Sequence, residues 1–163
     1  LDVEIMKLSA QEEYGLRCML TLARAEPGAS LTIPQIAEAE RISGPNVAKL
    51  LRALKRGGYV VALRGQSGGY ALSRKANEIN VGEVLACLGG RIFDAGFCGR
   101  HSSATRGCGH NSDCSVRSVW RLVQRAVDDV LSRLTLADLL VEEAGVSVPE
   151  RARRLSLPIV QVS

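Results

Sequence analysis

Aromatic residues are scarce: the 163-residue chain holds three Tyr, two Phe and one Trp. A core built without them must draw on Leu, Val, Ile and Ala, the palette of a helical protein. Long apolar runs are missing too. None approaches the ~18 residues a membrane-spanning helix requires, and no charged start, apolar middle and cleavage site marks a secretory signal, so the reading is a cytoplasmic protein with no membrane partner. The two His lack a convincing nucleophile and base arrangement, and the glycine-rich stretch 65–69 lies between strands rather than before a helix. Both absences argue against an enzyme. Five Cys, an odd number, do not make a disulfide framework in a reducing compartment, which leaves metal ligation or redox chemistry for any that cluster.

Acidic residues are absent from one further place. Residues 49–74 carry Lys49, Arg52, Lys55, Arg56, Arg64 and Arg74 with no Asp or Glu. The net charge of +4 is a small excess, but this segment concentrates a positive field. The length suits one domain, or a small domain with a helical appendage.

Periodicity places the elements. Tyr14, Leu16, Met19, Leu20, Leu22 and Ala23 recur at helical spacing, with Ser9 ahead of the first turn and Glu12 three residues on as a capping box. Thr32 opens a short second helix with Pro34 in its first turn and Ile33, Ile36 and Ala37 inward. Ser43 caps a third, with Pro45 early, Val47, Leu50, Leu51 and Leu54 as the buried stripe, and Gly57-Gly58 as the stop. Two β-prone runs, 59–63 and 70–72, flank a glycine-rich tip and predict a hairpin. Asn80 caps a fourth helix over Val81, Val84, Leu85 and Leu88, ended by Gly89-Gly90.

Beyond it the period is lost as far as Asp113, in a loop of Gly, Ser, His and Cys that needs an external organiser. From Cys114, the residues Val116, Val119, Trp120, Val123, Val127, Val130, Leu131 and Leu134 make an apolar stripe long enough for a dimer helix. Thr135 opens a last short helix, 136–143. The fold class is therefore mainly α: a winged helix-turn-helix domain with a two-stranded wing (6–88), a cysteine-bearing sensor loop (89–113), dimerisation helices (114–143) and a flexible tail (144–163).

A recognition helix needs small or polar side chains at its N-terminal turns, which enter the major groove, and basic ones beyond to meet phosphates. Ser43, Pro45, Asn46 and Lys49 are placed for the first task. Arg52, Arg56 and Arg64 suit the second, with Gln66 and Ser67 at the wing tip beside Arg64, which could also reach a minor groove. The expected partner is double-stranded DNA.

Cys98, Cys108 and Cys114 are separated by nine and five residues in a loop that also holds Gly99, Gly107 and Gly109, whose small size lets backbone wrap an inorganic core. The spacing differs from the tight pairs of zinc ribbons. Three thiolates leave one position for another ligand of an iron-sulfur cluster, 2Fe–2S or 4Fe–4S. Cys18 and Cys87 lie on apolar helical faces and read as small hydrophobes.

Residues 43–74, SGPNVAKLLRALKRGGYVVALRGQSGGYALSR, resemble the Rrf2 family of winged-helix transcription regulators, which includes iron-sulfur and nitric-oxide sensors. Met6-Lys7-Leu8-Ser9, Val81-Gly82-Glu83-Val84 and Thr135-Leu136-Ala137-Asp138-Leu139 extend the match to about residues 6–140. The resemblance implies a homodimer on a pseudo-palindromic operator, and cluster ligation by Cys98, Cys108 and Cys114. It further implies an acidic fourth ligand, donated by the partner subunit from the position of Glu13. His101 and His110 compete for that role, and Arg17, one turn from Glu13, could instead compensate an anionic cluster.

The chain departs from the family pattern in three places. The first cysteine gap is longer, Arg117 replaces a ligating histidine three residues after the last cysteine, and Ala48 replaces a specificity-related glutamate in the recognition helix. The expected function is a repressor that senses redox state, nitric oxide or iron-sulfur status, a ligand-biased two-state element whose loop order moves the dimer helix and the recognition helices. The alternatives are a cluster-free thiol- or zinc-responsive regulator, and a small iron-sulfur electron carrier or metal enzyme.

Overall fold

The computed structural model describes residues 9–26, 28–65, 68–90 and 115–140. Met6, Gln66, Ser67, the three loop cysteines, His101, His110 and the tail lie outside the described residues.

Helix α1 (Ala10–Arg24) begins as its capping pair dictates: Ser9 Oγ accepts from the Glu12 backbone N–H, and the Glu12 carboxylate accepts from the Ser9 backbone N–H at 2.8 Å. Its Cys18, Met19 and Leu22 are buried, with Tyr14, Leu16, Leu20 and Ala23 packed around them. Gly15, which apolar periodicity passes over, is buried as well. A Cβ there would lie 2.4 Å from a Leu88 methyl, so glycine sets how closely α1 approaches the fourth helix.

Helix α2 (Ile33–Glu40) starts after Thr32 with Pro34 in its first turn, where a missing N–H costs nothing, and buries Ile36. Helix α3 (Gly44–Arg56) follows shortly after Arg41, which ends α2 in the left-handed region at φ 54°. Ser43 occupies the N-cap position, but its side chain makes no capping hydrogen bond. Capping is therefore not what fixes Ser43, and the residue is exposed. Val47, Leu50, Leu51 and Leu54 form the buried stripe as predicted.

Strands β1 (Val60–Leu63) and β2 (Gly69–Leu72) pair antiparallel with Val60 opposite Leu72 and Leu63 opposite Gly69. The hairpin is rooted at Tyr59 and Val60, both buried, and Leu31 bridges Tyr70 to tie it to the body. Beyond the root Val61, Ala62 and Leu63 are exposed, so the hairpin projects into solvent. Gly65 supplies the positive φ of 112° at its turn, which a side chain would strain.

After a 3₁₀ turn at Ala76–Glu78 comes helix α4 (Val81–Gly89). Asn80 caps it, its Oδ1 accepting from Glu83 N–H at 3.1 Å. The same amide donates from Nδ2 to the carbonyls of Leu131, Ser132 and Leu134, so one side chain joins the start of α4 to the end of the last helix.

That helix, α5 (Ser115–Leu131), stops short of Leu134. Of the helix expected over 136–143, the described residues form one 3₁₀ turn, Leu136–Leu139. Leu136 is fully buried in the same core as α1, α3 and α4, and its N–H bonds Ile79 O at 2.9 Å. No helix among the described residues is long and apolar enough to cross a membrane.

Candidate nucleic-acid interface

The buried stripe of α3 determines what its other side presents. With Val47, Leu50, Leu51 and Leu54 inward, Ser43, Pro45, Asn46, Lys49, Arg52, Lys55 and Arg56 are all exposed. The outward face thus runs from small and polar at its N-terminal turn to basic at its C-terminal turn. Arg64 is exposed at the end of the projecting hairpin. Arg74, at the other root of the hairpin, is held in place: its guanidinium lies 5.4 Å from the Tyr59 ring centroid and its Nε donates to Glu78 O. Arg74 is visible in the sequence as part of the basic stretch, but its anchoring needs the fold. Burial, and secondarily the nearby Glu83 and Cys87, pushes the Tyr59 hydroxyl pKa up.

The turn between α2 and α3 is fastened from α1. Arg17 Nε donates to Glu40 Oε2 at 2.8 Å and its Nη2 to the Glu40 backbone carbonyl at 3.0 Å, while Thr21 Oγ1 donates to Glu40 Oε1. The hydrogen bond to Glu40 is the main reason the Arg17 pKa stands above its ordinary value. Neither Thr21 nor Glu40 stands out in the sequence, because their pairing spans 19 residues and only the packing of α2 on α1 reveals it.

Of the candidate cluster ligands, Glu13 is described. It sits on the exposed side of α1 and forms a 3.6 Å ion pair with Arg17. A carboxylate turned away from its own core fits an oxygen donor to a group outside this subunit. Among the described residues no three His, Cys, Asp or Glu side chains gather at one point. Cys18 is fully buried, and burial pushes its thiol up to about 11, so it stays protonated and poorly nucleophilic near neutrality. Cys87 is half-buried with its Sγ 3.6 Å from Ala53 O.

A short helix, a tight turn, a longer helix with a polar and basic outer face, and a rooted hairpin directly after it define a winged helix-turn-helix DNA-binding protein. Similarity to known proteins narrows the class. The profile of the Rrf2 family, described as iron-dependent transcriptional regulator, matches residues 8–142. This chain belongs to the Rrf2 family of transcription regulators. It is similar to the regulator IscR of Pectobacterium atrosepticum, at 30% identity over 90% of this chain and 86% of that one.

Among solved structures it resembles T. potens IscR, with a TM-score of 0.65 and 30% identity over 83% of this chain and 86% of that one. It also resembles CymR, the global cysteine regulator of B. subtilis, with a TM-score of 0.66 and 26% identity over 83% and 97%. The relatives are regulators of transcription, in keeping with DNA binding as the activity of the fold.

Proposed function

We propose that this protein is a cytoplasmic, homodimeric repressor that reads a pseudo-palindromic DNA operator and senses through an iron-sulfur cluster. The observation that carries the DNA reading is the exposed face of α3 over its buried leucine stripe, followed by the rooted hairpin. Ser43, Pro45, Asn46 and Lys49 meet base edges, while Arg52, Arg56 and Arg64, with Gln66 and Ser67 beside the last, meet phosphate and sugar. Residues 6–88 form the reading domain, 89–113 the sensor loop and 114–143 the dimer helices. Two recognition helices on a two-fold enter successive grooves about 34 Å apart.

Support for the dimer comes from α5, where Val116, Val119, Trp120 and Leu122 lie exposed on a helix whose other side packs at α4. Apolar side chains gathered on one exposed helix call for a cover, and a second copy supplies a matching one.

Cys98, Cys108 and Cys114 would hold the cluster as thiolates, with Glu13 of the partner subunit as a harder, more easily displaced oxygen ligand. The cluster, when bound, supplies redox and nitric-oxide reactivity. Relatives named IscR support this reading, while the likeness to the oxidized form of Staphylococcus aureus CymR supports the second one, direct sensing by the loop thiols.

Two measurements test the proposal. Duplexes selected from random sequence should yield an operator. Lys49→Ala or Arg64→Ala should weaken binding to it, and Arg64→Ala should also lower the salt slope by about 1 for the phosphate no longer neutralised. Anaerobically purified protein should absorb in the visible and contain iron and sulfide, with both reduced in Glu13→Ala. A colourless, iron-free protein that still binds its operator would leave direct thiol sensing in place of the cluster.

A further inference from the structure

Glu40 is an anomaly within its own helix. It is the last residue of α2, where the helix dipole disfavours negative charge, no basic residue shares that last turn, and its side chain is only 11% exposed. A carboxylate so placed needs outside compensation. α1 supplies it in full: Arg17 binds one carboxylate oxygen and the main-chain carbonyl, and Thr21, one turn along the same face, binds the other oxygen.

We propose that Arg17 is a positioning residue for DNA recognition: through Glu40 it locks the turn between α2 and α3 to α1 and thereby sets how the recognition helix is presented. The locked residue is immediately followed by Arg41, a non-glycine residue at φ 54°, a strained conformation that persists where its surroundings impose it. Two residues later Ser43 opens the face that meets DNA, so the clamp lies three positions from the first base-facing side chain.

Apolar packing of α2 on α1 through Ile36 resists separation but tolerates small slides. A forked, charge-assisted hydrogen-bond set does not, because each donor has one acceptor at one angle. The clamp therefore fixes orientation where the apolar core mainly fixes distance. Its consequence falls on discrimination rather than on attraction: a tilted recognition helix still meets phosphates but misaligns with base edges.

The inference rests on reading α3 as the recognition helix, and the experiment separates the two. Full-length dimer carrying Arg17→Ala, Glu40→Gln, both together, Arg17→Lys, or Arg24→Ala is titrated with the selected operator and with a scrambled duplex of equal length, across salt. Arg24 is an exposed cation on the same helix and controls for the removal of charge.

The expected result is an operator affinity about tenfold lower for Arg17→Ala and for Glu40→Gln, with the double variant no worse than either. Scrambled-duplex affinity and the salt slope stay unchanged, Arg24→Ala stays within about twofold, and Arg17→Lys, which keeps charge but not the fork, recovers only part. Glu40→Gln preserves shape and safeguards the fold should Arg17→Ala not express. Equal losses on both duplexes with a shallower salt slope would make Arg17 a phosphate ligand and overturn the proposal. So would a lower melting temperature with operator affinity unchanged. No duplex preference in the unchanged chain would instead overturn the reading of α3.

Discussion

Cys18 illustrates how burial alone selects a residue's chemistry. Its sequence neighbours, Arg17 and Met19, say nothing about reactivity, yet full burial raises its thiol from 9.0 to about 11, ahead of the smaller repulsion from Glu40. The folded protein therefore binds a proton here that the unfolded chain has lost between those two values. Stability from this group is fully present below about pH 9 and falls as pH rises to about 11, by about 2–3 kcal/mol in total. Urea unfolding at stepped pH should show that decline, and Cys18→Ala should flatten it, leaving the smaller slope that Tyr59 adds at higher pH. Thiol titration at pH 8 should leave Cys18 unmodified until urea is added.

At the scale of elements, the joints between helices decide more than the helices themselves. Propensity, caps and apolar stripes announce α1 to α4 in the sequence, and each is found with its expected first residue. What ties them together is less regular. Asn80 serves α4 through one atom and the end of α5 through another, four hydrogen bonds in all. Replacing it by Ala removes a cap worth about 1 kcal/mol and orphans carbonyls that are partly buried, so the expected loss is about 2–3 kcal/mol by urea denaturation. Because Asn80 bonds the start of α4 and the end of α5 rather than α3, scrambled-duplex binding by the folded fraction should persist.

For the whole molecule, the core and the exposed face of α5 divide the labour. Leu136, after α5 in sequence, is buried among residues from α1, α3 and α4, so the chain returns to the first unit it built. α5 is left with Leu122 67% exposed and Val116 and Val119 close behind. The proposed dimer predicts that Leu122→Glu sediments as a monomer with unchanged helical content, and that operator affinity drops by at least tenfold, because a monomer engages only one half-site. A variant that remains dimeric would move the seam to another surface.

Local facts are written in the sequence: helix starts at Ser9, Thr32 and Asn80, the leucine stripe of α3, the hairpin after it and the concentration of positive charge. These follow from interactions within a few residues, which spacing encodes directly. The scarcity of aromatics likewise foretells a core of Leu, Val, Ile and Ala; Ile36, Val47, Leu51, Leu54 and Leu136 fill it beside Met19, with alanines packed at its margin. Which outlying groups meet is a matter for the assembled fold. Gly15 against Leu88, Arg74 on Tyr59, and Arg17 with Thr21 on Glu40 join residues 15 to 73 positions apart, and no periodicity specifies a partner at that range. The fold likewise starts α3 after Ser43 without using that side chain as a cap.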